Sequence, residues 1–151
     1  MCKYLLSKVL GSDVKEVLAR LRVGDSQELE ALDMGMEPAE ALCLATAQSV
    51  ESRAVFVDGE PVAISGVTDK GNGVGSPWLV GTDAISEHPE AFKAALVDLV
   101  GLYFTLFHRL ENVIDVRQSG HIRCLKMLGF TVEEARPFRN GMFHFFHMER
   151  Q

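Results

Sequence analysis

Hydrophobic residues in the first third of the chain recur mostly at helical intervals, after a short opening run that favours a strand. Two acid pairs, Asp13 with Glu16 and Asp25 with Glu28, have the spacing of capping boxes, which mark the first turn of a helix. A proline further on suits the first turn of another helix. This third therefore predicts a strand at Lys3–Val9 and helices that begin near Asp13, near Asp25 and at Pro38, the last reaching about Ser49.

From position 50 the pattern becomes that of strands. Arg53–Val57 and Pro61–Val67 are rich in β-branched residues and enclose Asp58-Gly59, a dipeptide typical of a hairpin turn. The three glycines within Asp69–Ser76 predict a mobile hairpin loop, which could line a substrate entrance. Pro77–Gly81 then has the composition of a buried strand.

A longer helical pattern begins the second half. Apolar residues recur in steps of three and four from Phe92 to Leu110, and Pro89 suits the first turn of that helix. A strand, a long helix and another strand imply a parallel crossover, whereas hairpins imply antiparallel neighbours. The fold class is therefore α/β, with a mixed, mostly antiparallel sheet flanked by helices. The remaining predicted elements are a strand at Val113–Val116, a helix at Ser119–Leu128 closed by Gly129, and strands at Thr131–Arg136 and Met142–Met148.

Composition restricts the classes of partner. The 151 residues suit one domain, residues 1–151, and the formal charge of -6 argues against nucleic acid or an anionic membrane as the main partner. Three widely spaced cysteines fit a reducing compartment. No signal peptide is predicted, because Asp13 and Glu16 directly follow a short apolar run. No membrane span is predicted, because Asp98 interrupts the most apolar stretch, Ala94–Phe107. We therefore expect a cytoplasmic protein, and the sequence predicts no particular oligomeric state.

Three polar residues follow the predicted strand at Pro77–Gly81, namely Asp83, Glu87 and His88. Ligands of open α/β sheets usually bind beyond the carboxyl ends of such strands, so one of the three could remove a proton from an amine. The alternative is a solvated loop, because acids are common where a helix dipole begins.

Other patterns give weaker indications of chemistry. The glycine-rich segment precedes a strand rather than a helix, which argues against a nucleotide-binding loop. His144 and His147 would point to opposite faces of a strand, which argues against a metal site. Cys124 has no His–Asp pair placed near it by spacing, so a small buried residue is favoured over a nucleophile.

The stretch from Val113 to Phe130 carries a family resemblance. A strand is followed by a helix and by Leu128-Gly129-Phe130, in which the glycine ends the helix and the phenylalanine anchors the next strand. Together with the order of elements along nearly the whole chain, this is similar to the GNAT superfamily of N-acetyltransferases. The chain's size and its glycine-rich segment resemble those of short phage-encoded GNAT-like proteins.

The resemblance implies a site for acetyl-coenzyme A (acetyl-CoA) in the gap between two splayed strands. Main-chain groups of Leu79, Val80 and Gly81 would face the pantetheine arm, and one N–H would polarise the thioester carbonyl. Thr82 opens the segment that would meet the pyrophosphate. The other implied cofactor contacts are Gln118, at the family's Asn position, and the cations Arg117, Arg123 and Lys126.

Two departures from the family concern its chemistry. Thr82–His88 has no glycine where the family has its phosphate loop, and Leu125 stands where many members have a Tyr that acts as general acid. The prediction is an acetyl-CoA-dependent N-acetyltransferase that transfers acetyl directly to an amine of a small molecule or protein, without a metal. Asp83, Glu87 or a relayed water would be the base. The alternative is a catalytically degenerate GNAT-fold binding protein, for example a phage factor that docks on a host protein.

Overall fold

The described residues form one open sheet of eight strands with five α-helices around it. The computed structural model describes residues 3–32 and 35–151. The strands are β1 Tyr4–Ser7, β2 Glu51–Val57, β3 Glu60–Gly71, β4 Val74–Gly81, β5 Arg109–Asp115, β6 Thr131–Val132, β7 Arg136–Phe138 and β8 Gly141–Glu149. The helices are α1 Gly11–Ala19, α2 Val23–Leu32, α3 Pro38–Gln48, α4 Pro89–Phe104 and α5 Ser119–Leu128, with a 3-10 helix at Asp83–Glu87.

The sheet is mixed, as predicted from the sequence. Its strand order is β1-β2-β3-β4-β5-β8-β6, with β7 paired to β8. Every pairing among the described strands is antiparallel except that of β4 with β5, which the long helix α4 connects as a parallel crossover. The central pair is therefore the parallel one.

The helices cover both faces of the sheet. On one face, α1 and α3 pack on a small core that includes Val17, Leu42, Ile64 and Val80. Successive strand residues point to opposite faces, so the neighbours of Ile64 on β3 belong to the larger core beneath α4. The helix α2 contacts α3 and β5. No helix within residues 3–32 and 35–151 is long and apolar enough to cross a membrane.

The glycine-rich segment Asp69–Ser76 is a hairpin, as predicted, but its loop is shorter than predicted, because strand pairing continues through most of the segment. β3 and β4 extend through it and turn at Asn72-Gly73, where φ is 57° and 77°. Two successive residues with positive φ suit the tight turn that joins twisted strands, and Asn-Gly favours it. Gly75 lies in the core, because a Cβ there would meet the Phe107 ring at 2.5 Å.

Two helices begin earlier than the acid pairs predict. α1 begins at Gly11, and Asp13 lies in its first turn, where its Oδ2 accepts the N–H of Leu10 at 2.9 Å. α2 begins at Val23, which places both Asp25 and Glu28 inside the helix. The second acid pair is therefore not a capping box, and its carboxyl groups are available for other contacts.

The later elements follow the sequence prediction with two differences. Gly129 ends α5 with φ 107°, and Phe130 packs edge-on against Phe146 at 5.2 Å between ring centroids, as the Leu-Gly-Phe triplet predicts. α4 ends at Phe104, so Leu110 belongs to β5 instead of the helix. The single strand predicted at 131–136 is two short strands, β6 and β7.

Candidate functional site

The parallel strands β4 and β5 separate soon after they begin. Their ladder consists of Val74 with Arg109 and Gly75 with Leu110, and it stops there. At the start of the resulting gap, the Nδ2 of Asn112 donates to the carbonyl of Pro77 at 2.6 Å. Beyond this bridge the main chain of β4 has no strand partner on its β5 side.

The main-chain N–H and C=O of one residue of β4 face this gap. The carbonyl of Pro77 is directed toward β5, and Gly81 makes its main-chain hydrogen bonds away from β3, to Asp25 and Arg22. Main-chain groups two residues apart on a strand point to the same side. The N–H and C=O of Leu79 are therefore directed into the gap, whereas those of Val80 face β3.

The gap opens into a cavity of about 420 Å³ that crosses the sheet. Its walls are mostly apolar side chains from helices on both faces. The α2 and α3 side contributes Glu28, Leu29, Leu32, Ala41, Leu42 and Ala45, together with Trp78 of β4. The α4 and α5 side contributes Leu96, Leu99, Val100, Tyr103, Leu125 and Leu128. A cavity that reaches both faces can hold two reactants, one from each side.

A hydroxyl chain lies in the wall on the α4 side. Tyr103 is 2% exposed, and its hydroxyl lies 2.7 Å from the Oγ of Ser65. Ser65 donates in turn to the carbonyl of Trp78 at 2.8 Å, so the Tyr103 hydroxyl is the donor to Ser65. Burial raises the pKa of Tyr103 above its ordinary value, which keeps the phenol protonated.

At the carboxyl end of β4, the buried carboxylate of Asp25 closes one mouth of the gap. Its Oδ2 accepts the N–H of Gly81 at 2.8 Å and the Nε of Arg22 at 3.0 Å. Its Oδ1 accepts Nε2 of Gln118 at 3.0 Å and a guanidinium N–H of Arg22 at 3.2 Å. Four donors from three parts of the chain thus converge on one carboxylate, and they tie α2 to β4 and to the start of α5.

Arg22 extends this network to α5. Its terminal guanidinium nitrogen lies 2.6 Å from the Nε2 of His121. Because a guanidinium only donates, the facing ring nitrogen accepts and His121 is neutral. Burial lowers the pKa of His121 to about 4, and the charge of Arg22 contributes to the decrease.

Glu28 lies one helical turn after Asp25 and lines the larger cavity. Its Oε1 accepts the main-chain N–H of Asp115, at the end of β5, at 2.7 Å. Burial, together with the nearby charges of Asp25 and Asp115, raises the pKa of Glu28 to about 7. A guanidinium nitrogen of Arg117 donates to the Oδ2 of Asp115 at 2.6 Å, and this contact lowers the pKa of the Asp115 carboxyl.

The residues predicted as candidate bases lie outside the larger cavity. Asp83 and Glu87 are exposed in the 3-10 helix, and His88 is the residue before α4. None of the three lines the larger cavity, while Asp83 lines a second one of about 250 Å³, together with Arg22 and Arg117. Their catalytic assignment stays a prediction.

The residues predicted to contact the cofactor differ in accessibility. Thr82 is buried and caps the 3-10 helix through its hydroxyl. Gln118 is buried against Asp25, and Gly81 has both main-chain groups bonded within the protein. The exposed members of the set are the cations Arg117, Arg123 and Lys126. Leu79, as described above, has main-chain groups that face the gap.

The histidines of β8 have structural contacts. His147 pairs with the carboxylate of Glu133 at 3.1 Å, and the Nδ1 of His144 lies 2.7 Å from the carbonyl of the same residue. Within the part of the chain that the structure describes, no group of three or more His, Cys, Asp or Glu side chains is placed to hold a metal ion.

Sequence reasoning missed the four polar residues of α2, its approach and α5 that meet at the gap: Arg22, Asp25, Glu28 and His121. Asp25 and Glu28 carried a signal, because two acids one turn apart on a helix lie on one face. The same spacing also fits a capping box, and only the start of α2 at Val23 separates the two interpretations. Nothing near Arg22 or His121 in the sequence indicates that they meet.

The fold matches solved structures of acetyltransferases at low sequence identity. A GNAT-family acetyltransferase from Streptococcus pneumoniae is 13% identical, covers 99% of this chain and 100% of its own, and has a TM-score of 0.68. AAC(6')-Ib in complex with ribostamycin and coenzyme A is 16% identical over 99% of this chain and 94% of its own, with a TM-score of 0.74. A Bacillus subtilis acetyltransferase in complex with coenzyme A is 7% identical over the full length of both chains, with a TM-score of 0.72.

Comparison of sequences alone gives no relative. No protein-family model matches the chain, and no curated protein matches it significantly. The structural likeness extends over the whole sheet and includes the parallel pair β4–β5. The chain therefore has the fold of the GNAT acetyltransferases.

Proposed function

We propose that this chain is an acetyl-CoA-dependent N-acetyltransferase, with residues 1–151 as one catalytic domain, acting in the cytoplasm of its cell or of a phage host. The observation that carries the proposal is the gap between β4 and β5, into which Leu79 directs its main-chain N–H and C=O. Solved structures of the same fold hold coenzyme A or acetyl-CoA, and some of them also hold an aminoglycoside, which bears amines. A cavity that opens on both faces of the sheet suits direct transfer between two bound molecules.

The proposed reaction is attack of a neutral amine nitrogen on the thioester carbonyl. The new C–N bond forms as the C–S bond breaks, coenzyme A leaves as its thiolate, and the proton that the amine loses to a base returns to the thiolate to give the free thiol. The N–H of Leu79 would hydrogen-bond the carbonyl oxygen while negative charge develops on it. The candidate bases predicted from the sequence are Asp83, Glu87 and His88, acting directly or through water.

The phosphates of acetyl-CoA would meet the cations of α5 and its approach. Arg117, Arg123 and Lys126 are exposed there, and charged donors of this kind bind phosphate oxygens strongly. Thr82 and Gln118 would support this contact from the buried side rather than touch the phosphates, since both have protein partners.

Acetyl-CoA should stabilise the protein against heat. At a hundred times its dissociation constant, a ligand of the folded state adds about 2.7 kcal/mol, which a thermal-shift titration detects as a rise in Tm. Leu96→Trp, which fills the α4 side of the cavity, should abolish the shift. Val97→Trp, at the next and exposed position of the same helix, should keep it. No shift at millimolar acetyl-CoA would exclude the proposed reaction.

A second candidate function is a GNAT-fold binding protein without catalysis, for example a phage factor that docks on a host protein. The observation that favours it is that Asp25 and Arg22 already bond both main-chain groups of Gly81. This candidate predicts no release of coenzyme A thiol with any amine, and recovery of a host protein by the immobilised chain. Thiol release that depends on an added amine would exclude it.

A tyrosine at position 125 should raise turnover. Leu125 lines the cavity and stands at the position of the family's proton-donating Tyr. General-acid catalysis typically contributes about a hundredfold or more, so even an imperfectly placed phenol in Leu125→Tyr should raise kcat about tenfold. Leu125→Phe has the same ring without the proton and is the matched control. Equal rates for the two variants would show that protonation of the leaving thiolate does not limit the reaction.

A further inference from the structure

One half of the larger cavity has a distinct composition. The wall on the α2 and α3 side is made of Leu29, Leu32, Ala41, Leu42, Ala45 and Trp78, which offer a bound molecule apolar surface. The turn after β7 completes this wall, because the N–H of Asn140 donates to the carbonyl of Ala31 in α2 at 2.8 Å. We refer to this part of the cavity as the α2–α3 half.

Glu28 is the single carboxyl group among the described residues that line the cavity. It belongs to a group of three neighbouring acids, of which the other two are compensated: Asp25 pairs with Arg22 at 3.0 Å, and Asp115 pairs with Arg117 at 2.6 Å. Among residues 3–32 and 35–151, no basic side chain forms such a pair with Glu28. Its pKa, raised to about 7 by burial and by these neighbours, reflects the same lack of a cation.

The other charged residue of this wall is a cation. Arg139 lines the rim and is exposed, with its guanidinium carbon 5.7 Å from the centre of the Phe138 ring. A ligand with several positive charges would find one carboxyl group for all of them and would meet Arg139 at the opening. A ligand with one positive charge and an apolar body meets neither difficulty.

We propose that the α2–α3 half binds a primary amine with a single positive charge and an apolar body, whose ammonium group pairs with Glu28 while the body packs on Trp78 and the leucines. The inference rests on the proposed function, because it names the acceptor of the acetyl group. Within that function it separates apolar monoamines from polyamines and aminoglycosides. The ammonium would supply the positive charge that the three acids lack, and it would add charged donors to those that Glu28 already accepts from Asp115 and from the Gln118 side chain.

The test uses the fluorescence of Trp78, the single tryptophan of the chain, which lies in the wall. The full chain is titrated with 2-phenylethylamine, with spermidine and with 2-phenylethanol, each with and without coenzyme A. We expect 2-phenylethylamine to bind about tenfold more tightly than either of the others, since a hydrogen-bonded charge pair is typically worth that factor or more. Spermidine binding as tightly as 2-phenylethylamine, or no binding of the amine in either condition, would overturn the proposal.

Two variants test the role of Glu28. Glu28→Gln keeps the size of the side chain. It should weaken the binding of 2-phenylethylamine about tenfold and leave the affinity for 2-phenylethanol unchanged. Glu30→Gln, on the same helix but exposed, should leave both affinities unchanged. An equal loss in the two variants, or no loss in Glu28→Gln, would contradict the pairing. The acetyl-CoA thermal shift on the same samples separates the two proposals: a shift without selective amine binding contradicts the acceptor class alone, and amine binding without a shift contradicts the transferase.

Discussion

Replacing Asp25 with alanine should lower the free energy of unfolding by about 3–5 kcal/mol, the range found when one partner of a buried ion pair is removed. The carboxylate is 1% exposed and accepts four hydrogen bonds. Without it, the guanidinium of Arg22 remains half-buried and loses its counter-charge, and the N–H of Gly81 loses its acceptor. Urea denaturation followed by circular dichroism would measure the loss.

Asp13 provides the matched control. It is also a buried acid in the first turn of a helix, but among residues 3–32 and 35–151 its carboxylate accepts one hydrogen bond, from the N–H of Leu10. Loss of a capping contact of this kind costs about 1 kcal/mol. If Asp13→Ala and Asp25→Ala cost the same, the four-donor network would not be a major source of stability. Arg22→Met combined with Asp25→Ala should cost less than the sum of the single changes, because no charge is left unpaired.

The network around Asp25 also changes how the gap is interpreted. The family resemblance assigns main-chain donors of Leu79, Val80 and Gly81 to the cofactor. The carboxylate of Asp25 already occupies the Gly81 donor, and Val80 faces β3, so Leu79 alone keeps free groups on the gap side. The start of α2 thus occupies the main-chain groups at the end of β4, whereas the cavity between β4 and β5 remains open.

The parts of the fold that depend on local sequence could be predicted. Gly129 has to adopt a positive φ to end α5, and no neighbouring element is needed to infer it. The Asn72-Gly73 turn carried an equally local signal, although the flanking glycines obscured it. The parallel pair could be predicted from the succession of a strand, a long helix and a strand, because such a connection places the two strands parallel to each other.

The site could not be predicted in the same way, because its residues meet through long-range contacts. Asp25 contacts Gly81, 56 positions away, and Gln118, 93 positions away, and Glu28 contacts Asp115, 87 positions away. An acid on a short helix is usually solvated, and its burial depends on which strand end lies opposite. The resemblance assigns the chemistry to the end of β4, where Asp83 and Glu87 are exposed, whereas the acids that meet the gap are Asp25 and Glu28 of α2.

The two titrating groups near the gap should affect stability in opposite directions. The pKa of Glu28 is about 7 in the folded protein and 4.5 in its ordinary state, so the folded protein holds the proton more tightly and stability falls as pH rises from 4.5 to 7. The pKa of His121 is about 4 when folded and 6.5 ordinarily, so stability rises with pH across that interval. Each effect amounts to roughly 3 kcal/mol, at about 1.4 kcal/mol for each pH unit.

Between pH 4.5 and 6.5 the contributions of Glu28 and His121 to stability should nearly cancel in the unmodified protein. Replacing one of the two residues should therefore reveal the pH dependence that the other one causes. The shifted carboxyls of Glu111 and Asp115 titrate below this interval, because their pKa values are lowered. Glu28→Gln should therefore gain roughly 3 kcal/mol of stability as pH rises from 4.5 to 6.5, and His121→Gln should lose about as much up to pH 7. Urea denaturation at several pH values measures both slopes. Parallel profiles for the two variants would show that Glu28 and His121 are not the groups that set the dependence. Slopes of opposite sign would establish that folding raises the pKa of the carboxyl group that lines the cavity and lowers that of His121.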